Sequence, residues 1–221
     1  MQFPLLRTAL AAACALALVA PARAAGPFAF DATPGRLSKS VVPLDYRIAV
    51  TPDAAAKTLT GSETVVLDVR RPTARIAFNT LNLTIRAARL DGVPVARVQT
   101  RNAAQLTTLT LARPAAVGRH TLALEYAGKI ESSAQGLFAQ PYVAPGGRKG
   151  LMLSTQFEST DARRMFPAWD EPAFRATYQL SVTLPAAWTA VSNTPVAARA
   201  AHGARATTAF ARTPRMPSYL L

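Results

Sequence analysis

Four acids crowd into one stretch of this chain: Glu158, Asp161, Asp170 and Glu171, interleaved with Arg163, Arg164 and Arg175. The whole chain holds only twelve acids, so no other segment concentrates them in this way. Charges at such density are costly unless they pair with one another or face a cleft. Two readings follow from the residues alone. The block is either a salt-bridged corner that joins sheets, or one wall of a site in which a carboxylate receives a cationic group. Within it, Ser159 or Thr160 can cap a short helical turn through Asp161 to Arg164. Asp170 can cap a turn opening at Glu171-Pro172, because proline is tolerated in a first turn.

Other chemistry is sparse. The two histidines, His120 and His202, are far apart, and neither precedes a glutamate. The one cysteine, Cys14, lies near the amino terminus, so cysteine-based metal sites and thiol catalysis are excluded from the rest of the chain. No Ser-His-Asp arrangement, Gly-x-Ser-x-Gly elbow or phosphate-cradling glycine loop occurs. Both histidines read as surface or turn residues, and no metal site is expected in this chain.

The elements that must position the charged block alternate rather than repeat with helical period. Tyr46, Ile48 and Val50 share one strand face, as do Leu59, Val65, Leu67 and Val69, with Thr60, Ser62, Thr64 and Asp68 opposite. Ile76 and Phe78, then Leu83 and Ile85, continue the pattern before a turn at Asp91-Gly92. Leu109 and Leu111, then Leu122, Leu124 and Tyr126, make further strands, and Tyr178, Leu180, Val182 and Leu184 make a last clear one, stopped by Pro185. Turn residues at this spacing indicate an all-β, antiparallel-rich domain of two sheets. Residues 26–38 read as an extended lead-in, and the alanine-rich stretch from Pro195 to Arg205 as a loop. The closing Ser218-Tyr219-Leu220-Leu221 is apolar and strand-like, which points to further sequence beyond it.

Composition sets the context. Half of the 221 residues are hydrophobic, enough for a sizeable core. Residues 1–24 carry Arg7, an apolar run from Thr8 to Ala20, and Ala22-Arg23-Ala24, the pattern of a cleaved export signal. The run is too short for a permanent membrane span. Export to the periplasm or the medium is expected, with residues 25–221 as one disulfide-free β-domain. The formal charge of +13 invites a nucleic-acid reading, but the basic residues are mostly arginines spread along the chain, not a stripe interleaved with aromatics. Nucleic acid is therefore not an expected partner, while loose attraction to an anionic envelope surface is compatible with the charge.

The charged block carries a resemblance. Thr155-Gln156-Phe157-Glu158, Thr160-Asp161-Ala162-Arg163, Phe166-Pro167-Ala168-Trp169-Asp170-Glu171-Pro172 and Arg175-Ala176-Thr177-Tyr178 resemble the hallmark amino-terminal block of the aminopeptidase N family of zinc peptidases. Upstream, VVPLDYRIAVTPD, TGSETVVLDV and GLFAQPYV are similar to that family's opening strands and its lead into the block. Downstream, LPAAWTAVSNTPV and RTPRMPSYLL continue the likeness, which spans roughly Leu37 to Leu221. The resemblance implies a saddle-shaped or sandwich-like multi-sheet domain that lies against a thermolysin-like catalytic domain. It implies that Glu158 holds the free α-amino group of a peptide substrate and that Gln156 lines the pocket for the first side chain. The family's zinc is held by a His-Glu-x-x-His helix beside a Gly-x-Met-Glu-Asn loop. Neither motif is in this chain, whose Met152, Met165 and Met216 have other neighbours.

The expected function is the amino-terminal, substrate-binding part of a zinc aminopeptidase, inactive alone and completed by a missing or separate catalytic domain. An exported, non-catalytic β-module that binds peptides or a partner subunit is the alternative.

Overall fold

A computed structural model describes residues 28–221. The expected export signal and Cys14 lie outside the described residues. The chain divides into two compact units, residues 1–32 and residues 33–221. In the described part of the first, Phe30–Ala32 form one 3₁₀ turn within the stretch read as an extended lead-in.

The second unit is built from strands: β1 (Val41–Asp53), β2 (Thr58–Val69), β3 (Thr73–Asn79), β4 (Thr84–Leu90), β5 (Val93–Pro94), β6 (Arg97–Arg101), β7 (Leu106–Ala115), β8 (Gly118–Lys129), β9 (Gly136–Val143), β10 (Lys149–Gln156), β11 (Arg175–Pro185), β12 (Val196–His202), β13 (Arg205–Phe210) and β14 (Met216–Pro217). Eight of them form one large sheet in the order β12-β13-β11-β1-β2-β8-β4-β5, with β14 pairing β11 beside it. A three-stranded sheet runs β3-β7-β6, and β9 and β10 make a hairpin of their own. The domain is all-β and antiparallel except where β1 runs parallel to β11.

The alternating faces form the core. Tyr46, Ile48 and Val50 of β1, Leu59, Val65, Leu67 and Val69 of β2, and Leu122, Leu124 and Tyr126 of β8 are buried. Ile76, Phe78 and Leu109 close the inner side of the three-stranded sheet. Alternation reflects one-sided burial, and at about 25 cal/mol per Å² the sealed apolar area is the main stabilising term. Asp91 and Gly92 take φ of +51° and +80° and join β4 to β5 in the two-residue turn expected of Asp-Gly.

Several expectations are corrected. The described residues form three sheets, not two, because side-chain alternation shows which face is buried but not which strands share hydrogen bonds. The stretch read as a loop contains β12, which pairs with β13 from Val196↔Phe210 to His202↔Arg205. All seven residues of β12 are exposed, so there was no buried face to make it alternate. On β11 only Ala176 and Tyr178 are buried; Leu180, Val182 and Leu184 are half-buried. The final residues are a 3₁₀ turn, Ser218–Leu220, not a strand, and the Ser218 hydroxyl donates to Asp170 Oδ1 at 2.5 Å.

Candidate functional site

The expected block folds into two different things, a sealed corner and an open wall. At the corner Ala162–Arg164 form a 3₁₀ turn. Its leading residue is Asp161, and no side chain caps it, so the cap expected from Ser159 or Thr160 is not made. Asp170 does not cap the turn after it either, because its carboxylate is engaged elsewhere. Arg163 Nε donates to Asp170 Oδ2 at 2.9 Å, and the Arg163 backbone N–H reaches the same oxygen at 3.2 Å. Arg163 Nη2 donates to the Asp170 carbonyl and Nη1 to Gln105 Oε1. The Asp170 backbone N–H donates to Asn79 Oδ1, and Asn79 and Ala168 exchange backbone hydrogen bonds. The network ties the end of β3, the chain around Gln105 and the closing turn at Ser218 to one buried ion pair. A buried pair of this kind is tolerable because every partner is satisfied.

The remaining charges are used similarly. Arg164 pairs with Asp161 at 2.7 Å and with Glu131 at 3.3 Å. Glu171 Oε1 accepts the backbone N–H groups of Arg36 and Leu37, clipping that loop to the corner. Three of the four acids are therefore structural. Below the corner, Tyr46 and Tyr178 are register partners on the parallel pair β1 and β11, and their rings stack at 5.0 Å. Phe166 meets both rings edge-on, and Phe157 meets Phe166 in turn at 6.1 Å.

Phe157 fixes the open wall. Its side chain is buried in that aromatic cluster, so Gln156 at the end of β10 and Glu158 after it both project outward. Both are exposed and both line a groove of about 1240 Å³. The groove is also lined by Leu180, Val182 and Leu184 of β11, by Trp188, and by Tyr219. Glu158 pairs with neither Arg163 nor Arg164, since both are taken by other carboxylates. The groove thus presents a free carboxylate and an amide beside an apolar floor, a combination able to receive an ammonium group with an attached side chain.

Neither histidine takes part. His120 Nδ1 lies 2.7 Å from Asp91 Oδ2 and its Nε2 lies 2.9 Å from the Ala116 carbonyl, and the hydrogen bond to Asp91 raises its pKa. His202 is exposed on β12. Among the described residues no group of three or more His, Cys, Asp or Glu side chains is placed to hold a metal ion. The zinc implied by the family resemblance finds no ligand set among these residues.

One buried acid was missed. Glu63 lies on β2 with the same parity as Leu59, Val65 and Leu67, and it is 3% exposed. Neither carboxyl oxygen has a hydrogen-bond partner, and burial pushes its pKa well above the usual carboxylate range. Beside it Tyr126 lies across its register partner Gly61, where any Cβ would strike the ring. The signal was available in the sequence, since a glutamate stood at a core position of a strand otherwise correctly read.

Fold and site together define an all-β domain with an open groove and a free carboxylate on its wall. The peptidase M1 N-terminal domain family model matches residues 42–220. The chain belongs to that family. It is 44% identical over 205 residues to "Aminopeptidase N" of Acetobacter pasteurianus, covering 92% of this chain and 58% of that protein. It is 33% identical over 204 residues to "Aminopeptidase M1-C" of Oryza sativa subsp. japonica, covering 91% of this chain and 23% of the relative. "Endoplasmic reticulum aminopeptidase 1" of Homo sapiens is 29% identical over 186 residues, with 20% of its length covered. The chain therefore spans less than two thirds of each of these relatives.

Proposed function

We propose that this chain is the substrate-binding part of an exported zinc aminopeptidase that releases amino-terminal residues from peptides, and that it is inactive without a catalytic domain. Glu158 receives the substrate's α-ammonium group and Gln156 borders the first side chain. The observation that carries the reading is the placement of Glu158: exposed on the groove wall and unpaired, while Arg163 and Arg164 beside it are neutralised by Asp170, Asp161 and Glu131. An enzyme that removes terminal residues must locate one ammonium, and a carboxylate at the rim of an apolar groove is the natural counter-ion. Holding that group sets which peptide bond reaches the reacting centre, which is catalysis by positioning. The names of the relatives support the same activity.

The test joins this domain to a complete catalytic domain and compares wild type with Glu158→Ala and Glu158→Gln. A charge-assisted hydrogen bond is worth roughly 1.5–3 kcal/mol, so Glu158→Ala should lower kcat/KM on peptides by about ten- to a hundredfold. Glu158→Gln should lose less, because an amide oxygen still accepts from the ammonium. Unchanged kcat/KM in Glu158→Ala would refute the assignment.

A further inference from the structure

The arginines are spread out in sequence, but strand pairing gathers some of them. The three-stranded sheet β3-β7-β6 contains no acidic residue in any strand, and carries Arg75, Arg97, Arg101 and Arg113. Register places Arg75 and Arg97 opposite the same residue, Thr110 of β7, one from each side. Directly paired residues share a sheet face, so both arginines stand on one side. Arg101 follows Arg97 by an even number of positions along β6 and shares that side. The other side of the sheet holds Ile76, Phe78 and Leu109, all fully buried, so the arginine face is the outer one.

These three side chains are exposed, and among the described residues none has an ion-pair or hydrogen-bond partner. Where the domain does pair arginines the partners are close by, Arg163 and Arg164 at the corner and Arg212 with Asp45, and no such acid stands near this face. Across residues 70–119 the only acid is Asp91, already bonded to His120 and to the Thr121 backbone N–H. With neighbouring strands about 4.8 Å apart and residues rising about 3.3 Å each, the three Cα positions span roughly 10–16 Å. That is a compact, uncompensated triangle of positive charge.

The residues between them decide what it fits. Ala77, Gln99, Thr108 and Thr110 are small or uncharged, Leu106 opposite Arg101 is half-buried and Asn79 beyond it is buried, and no aromatic side chain stands on the outer face. Single-stranded nucleic acid would need aromatic platforms for its bases, and a duplex groove would need a protruding element. A protein partner would need a large exposed apolar anchor at the centre of the contact, and the one large apolar residue of this face, Leu106, is at its edge and already half-buried. A cationic sheet face without aromatic anchors matches a laterally mobile array of phosphodiesters, which can adjust to the arginines. We propose that the outer face of β3-β7-β6, through Arg75, Arg97 and Arg101, docks the domain on anionic phospholipid headgroups.

The test is co-sedimentation of the 221-residue chain with vesicles containing phosphatidylglycerol and with vesicles of phosphatidylcholine alone. The neutral vesicles measure any contribution of the apolar segment 8–20, which all variants share. Wild type should bind the anionic vesicles more tightly, and the preference should collapse as salt rises and the Debye length falls below about 10 Å. Replacing Arg75, Arg97 and Arg101 together by Gln should weaken anionic-vesicle binding by about a hundredfold, at about one kcal/mol of attraction per basic residue at such a surface. A charge-matched control, Arg36→Gln with Arg199→Gln and Arg215→Gln, should lose far less. Equal losses in the two triples would overturn the proposal, because binding would then follow net charge alone. So would a wild type that does not prefer anionic vesicles at low salt, a readout that needs no variant to fold. Tighter binding to a single-stranded oligonucleotide than to the vesicles, lost in the same triple, would assign the face to nucleic acid instead.

Discussion

At the corner, Asp170 is sealed from solvent and surrounded: Arg163 reaches it with side chain and backbone, and Ser218 donates to its second oxygen. In the middle of the large sheet, Glu63 is buried almost as completely and receives nothing. The two regions show two ways of taking a carboxyl out of water. Asp170 keeps a charge partner and becomes a joint on which three chain segments depend. Glu63 has only apolar walls and tyrosines, so it is held as the neutral acid. The corner therefore contributes to stability through interactions that break all at once, whereas the sheet carries a group whose cost depends on pH.

The sharpest break of this comparison is at the corner. Asp170→Ala strands the Arg163 guanidinium in a site where its side chain is 9% exposed. Losing one partner of a buried pair costs roughly 3–5 kcal/mol, which a urea melt of the domain should show as a lowered midpoint. A loss under about 1 kcal/mol would mean that the pair is idle and the corner is held by its aromatic packing.

Glu63 should show itself instead in the pH dependence of stability. Its folded-state pKa is raised, so above the ordinary carboxylate range the folded chain keeps a proton that the unfolded chain releases. Stability is then full below that range and declines as pH climbs toward the raised folded-state value, by about 1.4 kcal/mol for each pH unit. In Glu63→Gln this slope should vanish, leaving a flatter profile above the ordinary carboxylate range. Identical pH profiles for variant and wild type would remove Glu63 from the comparison.

Glu158 supplies the smallest stability effect and so the clearest contrast with Asp170. With no partner to strand, Glu158→Ala should shift the denaturation midpoint by no more than about 0.5 kcal/mol. A loss as large as that of Asp170→Ala would place Glu158 in the structural network and withdraw it from substrate binding.

How far these roles could be read from sequence varies residue by residue. The faces Tyr46-Ile48-Val50 and Leu122-Leu124-Tyr126 were legible because each strand buries one side, and the Asp91-Gly92 turn because few residue pairs tolerate two successive positive φ values. β12 was not legible, since an exposed edge strand of alanines has no buried side to record. The charged block was visible as a site, yet composition could not divide it. Asp161, Asp170 and Glu171 went to arginines and backbone N–H groups, and Glu158 alone to the groove.

The sequence by itself determined the all-β class, the core faces, the charged block and the family likeness, because these depend on local alternation and on residue types in order. The tertiary structure alone decided which strands share a sheet, which arginine meets which acid, and which arginines are left to face solvent together. Those outcomes depend on pairings between residues distant in the chain: Arg163 with Gln105, Ser218 with Asp170, and Arg75 and Arg97 each with Thr110. Side-chain pattern records burial at each position, but it does not record the partner that burial brings.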